Sequence, residues 1–276
     1  RASSATRINK DGLIEVMSSN IPRLDYTNGG CPSLLLEPQS TNLINYSEDF
    51  SNAYHIKANS TITPNASLSP KNDLTADKLI ETASASSHLI NDVSKTPSTS
   101  GLSYIVSIFV KKAERRFIRL QTSSGFLAGS NYVNFNTDLG TVESSNGAVV
   151  GEVERLNNGW FRCAISFTST VTGSGGAQLY VMDSDNTSAD PSYLGDGTSG
   201  LYIWGMQIEQ QSSTTSYIPT TSAAVTRLAD AASVTTTGLG LTSITETFKD
   251  GSTNIITTIP TTYTVSAGEI AKIIGE

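Results

Sequence analysis

The chain has 276 residues, enough for one large all-β domain with extensions or for two ordinary domains, and either can bury a core. Its formal net charge of −7 at pH 7 argues against a nucleic-acid partner, because phosphate binding requires clustered Lys and Arg. Charged residues make up only 16% of the sequence, and its many Ser, Thr, Asn and Gly residues favour strands and turns over helices.

The sequence contains no candidate membrane segment. No apolar run approaches the roughly 18 residues that span a bilayer, so we expect a soluble chain without membrane insertion. The start, RASSATRINK, has neither an initiator Met nor the apolar stretch of a signal peptide, which indicates a chain that begins inside a longer protein. Cys31 and Cys163 are too few for a disulfide scaffold, and we expect free thiols, with Cys163 a small buried hydrophobe.

Residues 1–45 predict an extended N-terminal segment. Short extended pieces such as GLIEV, PRLDY and SLLLEP alternate with the turn signals NKDG, TNGG and CPS. A segment this broken cannot hold a core of its own. We therefore expect it to pack on the domain that follows.

Residues 46–222 predict the main domain, an all-β antiparallel β-sandwich of two sheets in a jelly roll. Alternating runs are separated by turns at the spacing of a sandwich, and connections such as TDLGTV, LNNGW and TGSGG supply the Gly and Asn that tight turns need. The strongest runs cover 104–112, 116–122, 132–137, 160–168, 177–183 and 201–210.

Alternation along these runs assigns side chains to opposite faces of a sheet. In WFRCAISF, the residues Phe161, Cys163 and Ile165 share an apolar face, and Trp160 and Arg162 lie opposite. The side chains opposite the apolar faces combine flat rings, amides and guanidinium groups. We call them the polar-aromatic set and expect them to share one sheet face: Phe117, Arg119, Gln121, Trp160, Arg162, Gln178, Tyr180 and Gln207.

The run LYIWGMQIEQ is apolar on both faces at its start, as expected for a central strand covered on both sides. Strict alternation places Trp204, Met206 and Ile208 on one face and Gln207 and Glu209 on the other. We expect Trp204 to pack in or over the core with its indole N–H bonded nearby, and stacking against a ligand is the alternative. Gln207 and Glu209 fall where the apolar run ends, so they are expected to meet solvent or a ligand.

Residues 223–276 predict a small Thr-rich C-terminal β extension, suited to oligomerisation or attachment. Its pieces ASVTTTGLGLTSITETF, STNIITTIP and TTYTVSAGEIAKIIGE are divided by KDGS and Pro260. Ser266 and Glu269 have the spacing of a capping box, which favours a last helical turn, whereas EIAKIIGE also fits a strand. Exposed β-prone edges in this region invite pairing with another chain.

The common nucleotide-binding and hydrolase motifs are absent from the sequence, including GxGxxG after a strand, the Walker A motif, GxSxG and HExxH. His55 and His88 have no metal-ligand or triad partner at a recognisable spacing, so we expect ordinary surface or turn residues. Paired carboxylates would allow glycoside hydrolysis, yet solvated strand ends explain them equally well. The carboxylates considered are Glu143, Glu152, Glu154 and Glu209.

The loop DSDNTSADPSYLGDG, residues 183–197, is rich in oxygen-bearing side chains. Asp183 and Asp185 are the predicted ligands if the loop holds a structural Ca²⁺. The loop lacks the EF-hand spacing and the bidentate Glu, so a solvated loop without metal is the alternative. We predict no other cofactor.

Six pieces of the chain occur in a fixed order across roughly residues 1–230: RASSATRINKDGLIE, PRLDY, LLLEPQSTNLINYSEDFSNA, NNGWFRCAISFT, GDGTSGLYIWGMQIEQ and TSYIPTTSAAVTRLAD. In this order they resemble a domain of phage tail and other virion-surface proteins, a carbohydrate-binding-module-like or concanavalin-like jelly roll. The resemblance implies a virion appendage, extracellular at its point of action. Such an appendage recognises host surface glycans or packs within a tail assembly.

Sugar sites need flat rings for the apolar side of a pyranose and planar polar groups for its hydroxyls, which the polar-aromatic set supplies. We therefore predict a non-enzymatic phage virion module that binds a bacterial surface polysaccharide. Other virion proteins are its expected partners, and a homo-oligomer such as a trimer would raise its avidity. The alternatives are a structural tail or capsid-decoration protein and a polysaccharide depolymerase. The N-terminal segment or a neighbouring subunit could also cover the predicted face.

Overall fold

The computed structural model describes residues 2–27, 31–248 and 251–276. They divide into two compact units. The sandwich unit comprises residues 41–214 and 218–225, and the terminal unit comprises the described residues up to 40, then 215–217 and those from 226 onward. Within the described residues, no helix is long and apolar enough to cross a membrane.

The strands of the first half are β1 (Ala5–Ile8), β2 (Ile14–Met17), β3 (Leu24–Asp25), β4 (Ser33–Leu36), β5 (Ser40–Asn42), β6 (Lys57–Ala58), β7 (Ser60–Ser67), β8 (Ala76–Glu81), β9 (Ala85–Ser86), β10 (His88–Ser98), β11 (Ser103–Lys112), β12 (Phe117–Thr122) and β13 (Asn131–Asn136). The second half continues with β14 (Thr141–Asn146), β15 (Val150–Arg155), a 3₁₀ turn (Asn157–Gly159), β16 (Trp160–Thr168), β17 (Gly173–Met182), β18 (Tyr193–Leu194), β19 (Gly200–Glu209), β20 (Val225–Arg227), β21 (Ser233–Thr235), β22 (Ile244–Phe248), β23 (Thr253–Ile256), β24 (Thr262–Thr264) and β25 (Gly268–Gly275).

Two six-stranded antiparallel sheets form the sandwich unit. Sheet I has the strand order β14-β13-β12-β17-β10-β6, and sheet II has the order β15-β16-β11-β19-β8-β7. The chain crosses repeatedly between them, from β10 to β11, back to β12, and again from β14 to β15. The structure confirms the predicted all-β, antiparallel sandwich of the jelly-roll type.

The core lies between the two sheets and follows the period-two pattern of the strands. In sheet I, Ile118 faces the core beside Val181, and Leu120 lies beside Leu179. In sheet II, all four residues predicted to form an apolar face are buried in the same core: Phe161, Cys163, Ile165 and Phe167. Cys163 is a free thiol, as predicted, and burial raises its pKa.

Gly205 interrupts the alternation in β19. Phe109 of β11 lies opposite Trp204 and Ser107 lies opposite Gln207, so β19 has one residue more than β11 between these two pairs. This is a β-bulge, and Gly205 adopts a φ of 63°, a conformation that disfavours residues with a Cβ. The bulge reverses the facing of every later residue of the strand.

Because of the bulge, the side chains of β19 do not lie on the predicted faces. Leu201 and Ile203 before it and Met206 and Ile208 after it all face the core. Trp204 therefore lies on the outer face, and the predicted grouping of Trp204 with Met206 and Ile208 is wrong. The sequence showed the glycine but not the slip in pairing, which depends on β11.

The terminal unit contains sheet III, with the strand order β23-β22-β25-β4-β3. Strand β4 pairs with β25, so strands predicted in separate segments, residues 1–45 and 223–276, lie in one sheet. The packing of residues 1–45 on the sandwich stays a prediction. Of the two alternatives for the C-terminal piece, the helical turn at Ser266 and Glu269 is wrong and the strand is confirmed, because residues from Gly268 pair with both β4 and β22 and bury Ile270.

A buried ion-pair network links distant segments within the terminal unit. Arg23 contacts Glu37 Oε2 at 2.8 Å, also pairs with Asp230, and donates to the Thr6 carbonyl at 2.8 Å. Arg227 donates to the Pro38 carbonyl at 2.9 Å. Both arginines are at most 1% exposed, and buried charges of this kind are tolerated only when paired.

The bulge gives a first prediction. We expect Gly205→Ala to lower the free energy of unfolding by about 1–2 kcal/mol, because an L-residue is strained at this positive φ. Urea denaturation measures the change. The matched control is Gly173→Ala, in the exposed start of β17, where a Cβ meets no atom within 4 Å. Equal stability of the two variants would contradict the bulge.

Candidate functional site

The polar-aromatic set does not share one face. Five of its members lie on the outer face of sheet I, on β12 and β17: Phe117, Arg119, Gln121, Gln178 and Tyr180. The other three lie on the outer face of sheet II, on β16 and β19: Trp160, Arg162 and Gln207. The predicted single face is therefore wrong, because alternation fixes the side of a strand but not the sheet that the strand joins.

The tryptophans of sheet II pack beneath the connection between β7 and β8. Trp160 and Trp204 are at most 1% exposed. The indole of Trp160 donates to the Leu68 carbonyl at 3.1 Å, and that of Trp204 donates to Thr75 Oγ1 at 3.2 Å. The Lys71 ammonium lies 5.2 Å from the centre of the Trp204 ring. The predicted packing of Trp204 with a bonded N–H is confirmed, and neither ring is available for stacking on a ligand.

Arg162, Gln207 and Glu209 are buried as well. Arg162 donates to Ser107 Oγ from Nε at 3.2 Å and from Nη2 at 3.0 Å. Gln207 accepts a hydrogen bond from the Ile218 N–H at 2.7 Å, and both Gln207 and Glu209 have no exposed surface. The prediction that these two residues meet solvent or a ligand is wrong, because the chain after β19 returns over them.

On sheet I, Arg119 holds the loop that follows β17. Its guanidinium donates to the carbonyls of Asn186 at 2.6 Å and Ser188 at 2.8 Å, and to Asn134 Oδ1 at 2.9 Å. The guanidinium carbon lies 3.5 Å from the centre of the Tyr132 ring, a cation–π contact. Arg119 has no exposed surface, and burial lowers its pKa. Its role is to fasten a loop.

The rings predicted on sheet I are also buried. Leu89, Phe117, Tyr180 and Met182 form a small apolar cluster on the outer face. Burial raises the pKa of Tyr180 to about 12, and the nearby Asp190 carboxylate adds to this shift. Phe117 is 9% exposed and Tyr180 is 5% exposed, so neither offers an open ring face.

The predicted calcium ligands have protein partners. Asp185 Oδ1 accepts hydrogen bonds from Asn134 Nδ2 at 2.8 Å and Ser144 Oγ at 2.7 Å, and Asp183 Oδ1 accepts one from Ser184 Oγ at 2.9 Å. The described part of the chain contains no group of three or more His, Cys, Asp or Glu side chains arranged to hold a metal ion. The guanidinium of Arg119 cross-links this loop through the carbonyls of Asn186 and Ser188. Both alternatives, calcium at Asp183 and Asp185 and a solvated loop without metal, stay predictions.

The two remaining members of the set, Gln121 and Gln178, are half-buried and meet in a row of amides. Gln121 Nε2 donates to Gln178 Oε1 at 3.1 Å, and Gln178 Nε2 donates to Asn91 Oδ1 at 3.1 Å. The three residues lie opposite one another on β12, β17 and β10, so strand pairing sets their alignment. We call them the amide row.

The amide row keeps hydrogen-bonding capacity beyond its two internal bonds. Each NH₂ group has two hydrogens and each amide oxygen has two lone pairs, and the row uses only part of this capacity. Gln121 Oε1 is buried without a hydrogen-bond partner, so a ligand reaches the row through its other amide atoms. Ile56, which is 46% exposed, extends the row beyond Asn91, whose N–H donates to the Ile56 carbonyl at 2.8 Å. Asn91 was not among the predicted site residues, although it alternates with Leu89 in the run HLIND. The sequence does not show that β10 pairs with β17, which places Asn91 beside Gln178.

The carboxylates considered for hydrolysis are distributed over three strands. Glu143 lies on β14 of sheet I, Glu152 and Glu154 lie on β15 of sheet II, and Glu209 lies on β19. Glu152 and Glu154 lie two residues apart at the edge of sheet II, and Glu209 is buried. The four therefore do not form one cluster.

Both histidines are buried, so a surface location is wrong for both, whereas His55 lies in a bend before β6, as the turn alternative predicted. His55 Nδ1 shares a hydrogen bond with Asp92 Oδ2, and its Nε2 lies 3.0 Å from the Tyr46 carbonyl. His88 Nδ1 lies 2.6 Å from the Asn59 carbonyl. These contacts tie β10 to the segments before it.

No protein-family model matches the chain, and no curated protein matches it. Among solved structures, the chain is similar to the CBM22-1–GH10 modules of the N-terminal endo-1,4-beta-D-xylanase 10B of Clostridium thermocellum, complexed with xylohexaose. The identity is 13% and the TM-score 0.31, over 67% of this chain and 30% of that one. Similarity at this level supports no conclusion about fold or ligand.

Arg119 gives a second prediction. Arg119→Met removes the hydrogen bonds to the partly buried carbonyls of Asn186 and Ser188, at roughly 1 kcal/mol each, so we expect a clear loss of unfolding free energy. Cleavage by an aspartate-specific protease within residues 183–190 should also become faster. The control is Arg116→Met, whose side chain is 53% exposed and which should behave like the unmodified chain. Unchanged stability and cleavage in Arg119→Met would contradict the fastening role.

The calcium question gives a third prediction. Because Asp185 is already bonded to Asn134 and Ser144, and Arg119 cross-links the loop, we expect a chelator to leave the melting temperature unchanged. Differential scanning calorimetry with and without EDTA, and with added Ca²⁺, measures this. A calcium-dependent rise that Asp185→Asn abolishes would contradict the expectation and support a metal-bound loop.

Proposed function

We propose that the protein is a non-enzymatic carbohydrate-binding module and that its sandwich unit binds host-surface glycans at the amide row. The observation that carries the proposal is the row itself. Three half-buried planar amides are aligned by two hydrogen bonds of 3.1 Å across three adjacent strands. No other part of the polar-aromatic set stays open to a ligand.

The chemistry of the amide row suits sugar hydroxyls. A hydroxyl both donates and accepts hydrogen bonds, and so does a carboxamide. The hydrogen bonds within the row restrict the side chains before a ligand arrives, which lowers the entropy lost on binding. Ile56 supplies exposed apolar surface at one end for the C–H groups of a sugar ring.

The row consists of three side chains, so we expect binding at one copy to be weak. Several copies acting on one polymer would strengthen it through effective concentration. We therefore place the module in a homo-oligomer such as a trimer. The ordered pieces across residues 1–230 support a location on a phage tail or virion surface, with a bacterial surface polysaccharide and other virion proteins as partners.

One observation favours a structural tail or decoration protein as the second candidate. Strand β23 is an edge of sheet III within the described residues, and its Ile255 is 63% exposed. Exposed edge strands readily pair with other chains. A stable oligomer in solution combined with no response to any glycan would support this alternative. The depolymerase has less support, because its candidate carboxylates do not cluster.

The amide row gives a fourth prediction. Gln178→Ala removes the central amide and both hydrogen bonds of the row, so we expect roughly tenfold weaker binding to the responding glycan. The measurement is a glycan array followed by calorimetric titration with host capsule or lipopolysaccharide sugars. The control is Gln210→Ala, an exposed glutamine beyond the end of β19. Full binding by Gln178→Ala, or no binding by the unmodified chain, would refute the proposal.

A further inference from the structure

An open groove of about 340 Å³ lies on the outer face of sheet II, distant from the amide row of sheet I. This volume is at the lower end of the range for small-ligand sites. Four hydroxyl side chains line it, those of Ser103, Ser166, Thr168 and Ser212. The other lining residues are Ala148, Val150 and Phe167.

Paired strands hold most of this lining in place. Ser103 of β11 lies opposite Thr168 of β16, and Ser166 of β16 lies opposite Val150 of β15. Ser166 is half-buried, whereas Val150 is 62% exposed and forms an apolar side of the groove. The groove therefore presents hydroxyls and a hydrocarbon surface on a rigid support.

The lining suits a neutral polyhydroxylated ligand. None of the lining residues carries a charge, so a charged ligand would lose its hydration without gaining an ion pair. Each hydroxyl donates one hydrogen bond, accepts others and rotates to suit its partner. Val150 offers a contact for the C–H face of a sugar ring.

Glu152 adds selectivity against acidic sugars. It follows Val150 by two residues in β15, so the two side chains lie on the same face, about 7 Å apart along the strand. Glu152 is exposed and lies opposite Ala164, a short side chain. Its carboxylate can accept hydrogen bonds from hydroxyls of a neutral sugar and repels the carboxylate of a uronic acid.

We propose that this groove is a second saccharide site, selective for neutral sugars over acidic ones. It is independent of the amide row, since the two sites lie on different sheets. The module then has two binding surfaces. If the amide row does not bind a glycan, binding at the groove can still be tested.

The test uses the full chain labelled with ¹⁵N and titrated with the methyl glycosides of glucose, galactose, rhamnose and N-acetylglucosamine, and separately with sodium glucuronate. We expect at least one neutral glycoside to shift the amide resonances around Ser166 and Val150. Glucuronate should bind at least fivefold more weakly than that glycoside. Glu152→Gln should reduce the difference in affinity between the neutral glycoside and glucuronate. If no neutral glycoside shifts these resonances, or glucuronate binds equally well, the proposal is wrong.

Two variants block the groove by different means. Ser166→Tyr fills it with a ring, and Val150→Asp places a charge on its exposed side, which keeps the test available if one variant folds poorly. Either change should abolish the shifts around Ser166, whereas Thr61→Tyr, exposed on β7 at the opposite edge of sheet II, should leave them intact. Gln178→Ala should also leave them intact. If the resonances around Ser166 still shift in both blocking variants, the groove is not the binding site. If a variant loses only the shifts near Gln178, the result concerns the amide row and not the groove.

Discussion

The contact between two apolar sheet faces governs the sandwich unit. Successive side chains of a strand point to opposite sides, so a strand that gives Ile118 or Cys163 to the core must send its other residues outward. In β12 and β16 those outward residues include Arg119 and Trp160, which are large and nevertheless buried. The chain covers them with its own connections, after β17 over sheet I and between β7 and β8 over sheet II. The half-buried amide row on sheet I and the exposed Val150 and Glu152 on sheet II are not covered to this extent.

Period-two alternation allowed most of the fold to be predicted, because it depends on neighbours in the sequence. It located β11, β12, β13, β16, β17 and β19 and gave the correct apolar face of β16, but it gave the wrong faces for β19. Alternation could not show that Arg119 and Arg162 lie on different sheets, since the sheet that a strand joins depends on its pairing with distant strands. It also missed the consequence of Gly205, because an isolated glycine in a strand becomes a bulge only when its partner strand has one residue fewer. Of the candidate site, only Gln121 and Gln178 were predictable, since Asn91 joins them through strand order.

Buried polar groups explain why residue type was a poor guide to the ligand surface. Glu81 has a fully buried side chain that accepts hydrogen bonds from Arg115 Nε at 2.8 Å, Tyr193 Oη at 2.6 Å and the Asp196 N–H at 2.9 Å. Burial alone would raise its pKa, yet the hydrogen bonds from Arg115 and Tyr193 hold the pKa of Glu81 below its usual value. These groups fasten loops, as Arg119 does. Charged and aromatic side chains that look suited to a ligand are thus used to close the fold.

Both proposed sites bind through uncharged side chains, which agrees with the negative net charge of the chain. A net charge of −7 disfavours approach to acidic polysaccharides, although salt screens the effect beyond about 8 Å. Neutral amides and hydroxyls instead gain affinity from many weak contacts, which multivalency can sum. Because the amide row and the groove lie on the outer faces of different sheets, one short oligosaccharide cannot occupy both. Under the proposed function, each module would engage separate polymer strands or distant stretches of one strand, and its retention would depend on the density of the glycan layer more than on the affinity of either site.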